Sequence, residues 1–329
     1  MTSTIQGVFG RFPLRVSITD RCNLGCTICS NEGLGLASRN TVSMNPEDLR
    51  YLANTLVDYG LQQISLSGGD PTTHPAAQEM AAIVNESGVS QRFYHTNGIL
   101  LDREGLVDEL KDFTKIGVSL HGTDSATYGR ITRGTPVQYE RVREGLRMLG
   151  ERGLAQKVEV KHVTVKGVND DSESLRGTMD LCAEYGFKFK FLNFEAITPD
   201  QVGLVQDITV IADRVRELGA TPLPELGRTF RGQTEYLPIQ WYGYKGTKGV
   251  IIEVGCGTPA VCKACHDSNE IFVTPSLDIK PCKASAKTFS LKRAVDERDN
   301  EGLVNTILES RDFLRTQPGL SRQYWEVAV

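Results

Sequence analysis

The chain has 329 residues, 40% of them hydrophobic, and carries a formal net charge of −4. This length allows one large domain with a smaller one, or a single elaborated barrel. The acidic charge balance offers no basic track for a polyphosphate backbone, so nucleic acid is not expected as a partner. No apolar run of about 18 residues occurs, and the first twenty residues lack the apolar region of a signal peptide. We therefore expect a cytoplasmic protein with no membrane partner.

Short β-branched runs alternate with helical stretches from residue 14 to about residue 195, which is typical of parallel strands joined by crossover helices. The first helix is well signalled, because Asn45 can cap it and Pro46 suits its first position. Further helices are expected over residues 75–87, 103–112, 138–152 and 172–185, and a last one near 300–315. The predicted strands cover residues 14–19, 63–67, 92–96, 116–120, 158–165 and 189–194.

This pattern predicts the α/β class, as a six-unit partial (β/α)6 TIM-like barrel rather than a closed barrel of eight units. Composition changes after about residue 198, where a stretch rich in Gly, Tyr and Thr leads to a group of four cysteines between residues 256 and 282. We therefore predict a barrel core over residues 1–198 and a small C-terminal iron-sulfur extension over residues 199–329.

Three cysteines lie close together just after the first strand. Cys22, Cys26 and Cys29 are separated by three and two residues. Three soft thiolates at this spacing can hold a 4Fe-4S cluster and leave one iron open to another ligand. The alternative is a zinc knuckle, but zinc usually takes four protein ligands and the loop contains no histidine to complete the set.

A second group contains four cysteines, Cys256, Cys262, Cys265 and Cys282. The segment before Cys282 is predicted to form a hairpin that turns at residues 275–278 and brings this cysteine beside the others. The group could hold a second 4Fe-4S cluster, and a four-thiolate zinc site is the alternative. The remaining cysteine, Cys182, is expected to be a small buried residue on a helix.

Polar and glycine-rich turns follow the strands, where parallel barrels carry their functional loops. The pair Gly68 and Gly69, with Asp70 and Pro71, follows the second strand. Two glycines let the backbone approach a ligand without a Cβ clash. The ends of the third and fourth strands carry Thr96, Asn97 and Ser119.

The cysteine loop, the Gly-Gly-Asp-Pro turn and these strand ends together resemble the radical S-adenosylmethionine (SAM) superfamily. The resemblance implies that Cys22, Cys26 and Cys29 bind a 4Fe-4S cluster, whose open iron chelates SAM and whose electron cleaves it to a 5'-deoxyadenosyl radical. It also implies that SAM contacts come from Gly68, Gly69, Asp70, Thr96, Asn97 and Ser119.

Within that superfamily the order of motifs resembles the molybdopterin-pathway GTP 3',8-cyclases, including the Lys-Gly-Val-Asn-Asp turn at 166–170. In that subgroup a C-terminal Twitch-type module binds an auxiliary cluster, and the matching ligands here are Cys262, Cys265 and Cys282. The cyclases use three cysteines, so ligation by Cys256 would close the second cluster to substrate.

Several cations of the cyclase pattern are replaced in this chain. Arg15 is retained, but Ser65 replaces an arginine before the Gly-Gly motif, Glu159 replaces a lysine on strand five, and residues 266–269 replace an arginine-containing run. Because a triphosphate requires several cations, GTP is not expected to be the substrate.

Polar or acidic residues at the barrel mouth are expected instead to suit a small sugar, nucleoside or amino-sugar substrate. A peptide-modifying enzyme and a cyclase-like enzyme are the alternatives, and a non-enzymatic scaffold would not explain the loop motifs. The expected electron donor is of the flavodoxin or ferredoxin type. The candidate catalytic residues are Glu32, Glu159 and Glu195, and the candidate substrate-binding residues are Arg15, His95 and His121.

Overall fold

The computed structural model is described over eight stretches of the chain. The protein within them is organised around one 12-stranded sheet, in the order β12-β11-β10-β1-β2-β3-β4-β5-β6-β9-β8-β7. The described residues are 9–10, 12–29, 42–196, 199–226, 239–253, 270–282, 285 and 287–316.

Six parallel strands form the centre of the sheet and pair in sequence order, as a partial barrel requires. All six predicted strands are confirmed, with ends that differ by one or two residues. The strands are β1 (Leu14–Ser17), β2 (Gln63–Ser67), β3 (Gln91–Thr96), β4 (Lys115–Ser119), β5 (Val158–Thr164) and β6 (Lys188–Asn193).

Crossover helices connect these strands. Helix α1 begins as predicted, since Asn45 Oδ1 accepts a hydrogen bond from the Glu47 backbone N–H. Thr135 and Gln138 form a capping box at the start of α5. Cys182 lies buried on α6, as expected. The helices are α1 (Pro46–Asp58), α2 (Ala77–Glu86), α3 (Leu106–Leu110), α4 (Ser125–Thr132), α5 (Pro136–Glu151), α6 (Ser172–Tyr185), α7 (Ile208–Glu217), α8 (Lys292–Asp296) and α9 (Asn300–Thr316).

The C-terminal part of the chain extends both edges of the central sheet. On one edge β10 pairs in parallel with β1, and on the other β9 pairs in parallel with β6. The predicted hairpin before Cys282 is confirmed as β10 and β11, which pair antiparallel. The added strands are β7 (Thr221–Pro222), β8 (Ile239–Tyr244), β9 (Thr247–Ile252), β10 (Ile271–Val273), β11 (Asp278–Lys280) and β12 (Phe289–Ser290).

The two faces of the central sheet differ in composition, because successive residues of a strand point to opposite sides. The face under the helices is apolar and fully buried, with Val16, Leu66, Tyr94, Val118 and Val160 among its residues. The inner face is polar and charged. Its residues include Arg15, Ser65, His95, Glu159, Lys161 and Lys190.

The structure contains elements that the sequence patterns did not predict. Helix α4 precedes α5 as a separate helix, and Arg133, with φ of 55°, forms its left-handed C-cap. Strands β8 and β9, of six residues each, form a hairpin in the Gly- and Tyr-rich stretch. None of the helices in the described ranges has the length and apolar character needed to span a bilayer.

Candidate active site

The first cysteine loop is fixed to the end of α4 by backbone hydrogen bonds. The Gly25 N–H donates to the Thr132 carbonyl at 3.2 Å, and the Thr27 N–H donates to the Ile131 carbonyl at 2.8 Å. Cys22 and Cys26 are half-buried and Cys29 is exposed, and none of the three forms a disulfide with another described residue. The thiols therefore lie on a tethered loop at the carboxyl end of β1.

The glycine pair after β2 packs directly against the start of this loop. A Cβ on Gly68 would lie 2.3 Å from the Thr19 carbonyl oxygen, and one on Gly69 would lie 2.2 Å from the Arg21 carbonyl oxygen. The Gly69 N–H also donates to the Thr19 carbonyl at 2.8 Å. The glycines, predicted to allow the close approach of a ligand, are in close contact with a segment of this chain instead.

Asp70 is buried and organises the ends of β2 and β3. Its carboxylate accepts hydrogen bonds from the Thr72 N–H at 2.9 Å, from Thr96 Oγ1 at 3.0 Å and from the Asn97 N–H. Burial raises the pKa of Asp70, and these donors oppose that rise by stabilising the carboxylate. The structure thus places Asp70 and Thr96 in a positioning network behind the loop.

Asn97 is the polar side chain that reaches the first cysteine. Its Nδ2 lies 3.8 Å from the Cys22 Sγ and donates to Asn23 Oδ1 at 2.7 Å. Its Oδ1 accepts from the Ile99 N–H at 3.1 Å. Because the amide is held at both ends, its orientation beside the cysteine loop is defined.

Several lysines share the inner face of the barrel with Glu159. These lysines were not among the predicted site residues. Glu159 is 4% exposed and lies 3.4 Å from Lys190 Nζ and 3.6 Å from Lys115 Nζ. Burial alone raises the pKa of Glu159, but the charges of Lys190, Lys115 and Lys161 lower it to about 2. The lining around Glu159 is therefore cationic, and the expectation of a polar or acidic lining is wrong there.

Arg15 forms an ion pair on the same face, with its Nε 2.9 Å from Glu270 Oε2. This pair joins β1 to the residue just before β10. Arg15 was predicted to bind substrate, and the structure gives it a carboxylate partner within the protein.

His95 and Lys161 face each other across a notch above Gly117. Lys161 Nζ lies 2.7 Å from His95 Nδ1, and a Cβ on Gly117 would lie 2.6 Å from Lys161 Cε. Burial and the nearby Lys190 and Arg15 charges lower the pKa of Lys161 to about 7. Burial and Lys161 hold the pKa of His95 well below its usual range. His95 is therefore a neutral acceptor beside an amine that titrates near neutrality.

The hydrogen bonds of His121 give this residue a structural role. Its Nδ1 accepts a hydrogen bond from the Val163 N–H at 3.2 Å, and its carbonyl accepts from Asn169 Nδ2 at 2.7 Å. Burial and the neighbouring His162 lower the pKa of His121 to about 3. The neutral ring thus carries its proton on Nε2 and holds the end of β4 against β5.

The other candidate residues are only partly placed. Ser119 is half-buried and pairs in register with Lys161. Glu195 is half-buried just after β6, and Cys282 is half-buried after β11. Outside the described residues lie Glu32, Cys256, Cys262 and Cys265.

The donor set of the first cysteine loop suits iron. Three cysteines on one tethered loop provide the soft ligands that iron-sulfur clusters take from proteins. Within the described ranges no three His, Cys, Asp or Glu side chains already stand in a metal-binding arrangement. Cys22, Cys26 and Cys29 fit a cluster by their chemistry and by their place at the carboxyl edge of the sheet.

A family comparison agrees with this site. The model of the radical SAM superfamily matches residues 16–208, more than half of the chain. The chain belongs to the radical SAM superfamily. Membership implies a SAM-dependent enzyme with one 4Fe-4S cluster, and the matched range runs from β1 to the start of α7.

Characterised relatives of this radical SAM protein include GTP 3',8-cyclases. The enzyme of Clostridium acetobutylicum is 26% identical over 298 residues, covering 87% of this chain and 85% of that protein. A probable GTP 3',8-cyclase of Methanosarcina acetivorans is 32% identical over 177 residues, covering 53% of this chain. The chain spans 52% of the length of this second relative.

Solved structures share the fold. Streptococcus suis SuiB bound to S-adenosylmethionine superposes with a TM-score of 0.60 at 15% identity, covering 89% of this chain and 64% of SuiB. SuiB bound to the precursor peptide SuiA gives a TM-score of 0.59 at 17% identity, covering 83% of this chain and 60% of SuiB. At this identity the likeness concerns the fold alone.

Proposed function

We propose that this radical SAM enzyme abstracts hydrogen from a small sugar, nucleoside or amino-sugar substrate in a specialised biosynthetic pathway. The reaction would be a decarboxylation, a dehydration, an oxidation or a carbon–carbon coupling. The observation that supports it most is the charged inner face, where Arg15, His95, Glu159, Lys161 and Lys190 offer donors and acceptors to a polar molecule.

The residues at the carboxyl edge of the sheet would hold the cofactors. Cys22, Cys26 and Cys29 would ligate the cluster, and Asn97 and Ser119 would contact SAM. Asp70 and Thr96 would act indirectly, because their hydrogen bonds fix the Gly68–Gly69 turn and Asn97. When bound, the cluster and SAM supply the oxidising radical, and the protein excludes water and positions the C–H bond.

The remaining roles rest on sequence and resemblance. Cys256, Cys262, Cys265 and Cys282 would hold a second 4Fe-4S cluster in a C-terminal Twitch-type module. A flavodoxin- or ferredoxin-type protein would supply electrons.

Glu32 and Glu195 remain candidate proton-transfer groups. We assign Glu159 a charge-balancing role, since a carboxyl group whose pKa is about 2 is a poor proton donor near neutral pH.

A cyclase-like reaction on GTP is the second candidate, favoured by relatives that carry that name. The charges of the inner face argue against GTP as the substrate. Two carboxylates, Glu270 and Glu159, already offset part of the charge of the inner-face cations, so less positive charge remains than a triphosphate needs.

The test is a substrate panel with anaerobically reconstituted enzyme, SAM and dithionite. Sugars, uronic acids, nucleosides and GTP are compared by the formation of 5'-deoxyadenosine. We expect a polar small molecule to raise the rate at least ten-fold above uncoupled cleavage, and Cys22→Ala to abolish it. If only GTP raised the rate, the proposed substrate class would be wrong.

A further inference from the structure

The inner face of the barrel carries an excess of positive charge that is unevenly neutralised. Arg15 is paired with Glu270 at 2.9 Å, and Lys190 and Lys115 share Glu159 at 3.4 Å and 3.6 Å. Three of these cationic side chains thus have an anionic partner within the protein.

Lys161 differs from them. Its Nζ contacts a neutral imidazole, His95 Nδ1 at 2.7 Å, and no carboxylate among the described residues lies within 4.0 Å of it. Gly117 provides the space in which the two groups meet. The side chain is half-buried, and in register it lies between Ser119 and Lys190. The amine is thus next to the strand end proposed to contact SAM.

The charged and titratable groups around Lys161 come from β1, β3, β4, β5 and β6. Most are cations or neutral rings, and Glu159 is shared with two other lysines. They are Arg15, His95, Lys115, His121, Glu159 and Lys190.

We propose that Lys161 is the binding site for a single carboxylate of the substrate, and that the amine takes up a proton from solvent when this carboxylate binds. The proposal deepens the proposed function, on which it rests, by making the substrate a sugar acid or a nucleoside acid. One ammonium without an anionic partner matches one negative charge. A phosphate monoester, with nearly two charges, would also need Lys190, which shares the single charge of Glu159 with Lys115.

The expected pH dependence follows from linkage. The pKa of Lys161 is lowered from 10.5 to about 7, so at pH 8 most of the free protein has a neutral amine. A bound carboxylate favours the ammonium and raises that pKa. Binding should therefore take up about 0.4 proton at pH 8 for a one-unit rise and about 0.8 for a two-unit rise, and almost none at pH 6. Affinity should fall up to about ten-fold for each pH unit above 7.

Competitive acylation of the full-length protein measures this amine directly. Brief labelling with isotopic acetic anhydride at pH 5.5–10, followed by peptide mass spectrometry, gives the midpoint for Lys161. We expect a midpoint near 7 in chloride that rises by at least one unit in saturating acetate or D-glucuronate, and does not move in D-glucose. Calorimetry with D-glucuronate in buffers of different ionisation enthalpy counts the protons taken up.

Two variants separate this site from general effects of charge. Lys161→Met should weaken D-glucuronate binding at least ten-fold and remove the proton uptake. Lys188→Met should change neither, because the Lys188 amine is bonded to the Gln156 carbonyl at 3.0 Å, at the start of β6.

Each of the remaining outcomes overturns the proposal. These are a midpoint that neither carboxylate moves, a Lys161 that is not labelled at any pH, or an equal shift by glucose 6-phosphate. Neither assay requires a cluster or turnover. Loss of carboxylate binding is thus distinguishable from failure of the radical reaction, which is measured by 5'-deoxyadenosine.

Discussion

Replacing Gly69 by alanine should separate the cysteine loop from the turn that supports it. The new Cβ would lie 2.2 Å from the Arg21 carbonyl oxygen and 2.6 Å from that of Asp20, where ordinary contact begins at 3.4 Å. Both neighbours are backbone atoms, so no side chain can rotate away. Residues 19–21 must shift, which strains the 2.8 Å hydrogen bonds from Gly69 N–H to Thr19 and from Asp70 N–H to Arg21.

The expected cost of Gly69→Ala is about 2–6 kcal/mol of unfolding free energy. Overpacking contributes about 1–3 kcal/mol, and each weakened hydrogen bond contributes about 0.5–1.5 kcal/mol. The displaced segment leads directly into Cys22, so the iron retained after anaerobic reconstitution should also fall.

The assays for Gly69→Ala are urea unfolding followed by circular dichroism, and iron content. Gly203→Ala is the matched control, since nothing lies within 4 Å of its Cβ, and it should change stability by less than about 0.5 kcal/mol. A Gly69→Ala protein with the stability and iron content of the parent would refute this account of the glycine pair.

Three further predictions concern the clusters, the buried carboxylate and GTP. Reconstituted protein should hold about eight iron atoms, and changing Cys22, Cys26 and Cys29 together to alanine should leave about four; one zinc and one cluster in the parent would contradict this. The pKa of Glu159 is about 2 in the folded protein, against an ordinary value of 4.5. This difference should stabilise the fold by about 3 kcal/mol above pH 4.5, and the contribution is lost as the pH falls to 2. Glu159→Gln should therefore flatten the decline of the urea midpoint between pH 4.5 and 3, and an unchanged decline would count against the charge cluster. GTP should not bind in the millimolar range, and detection of its cyclic product would disprove that.

The central sheet could be predicted from sequence because its signals are local. Buried β-branched runs alternate with capped amphipathic helices, and both signals extend over enough residues to define an element. Helix α4 was missed because it has eight residues and ends at Arg133 in a left-handed conformation, which glycine usually adopts. The β8–β9 hairpin was missed because its two-residue turn begins at Lys245, with φ of 44°, where asparagine, aspartate or glycine usually stands.

The site was predictable where residues are close in sequence and less so where strands bring them together. The cysteines and the Gly68–Gly69 turn have recognisable spacing, yet their mutual packing depends on the contact between two loops. Lys161 gives almost no signal, since a single lysine on a strand usually lies at a solvated edge. Its alternation with Glu159 and Val163 on the face opposite Val160 and His162 was the pattern that could have located it.

Glu159 connects the stability of the barrel to the chemistry proposed for its interior. A buried carboxylate between Lys115 and Lys190 offsets part of the repulsion among these two ammonium groups and Lys161. Its charge also raises the pKa of Lys161, in opposition to Lys190 and Arg15. Loss of this charge would lower that pKa further and leave the amine neutral over more of the physiological range. Glu159, at the position where the cyclase pattern has a lysine, thus has a physical role. Its negative charge keeps the pKa of Lys161 high enough for the amine to be protonated when an anion binds.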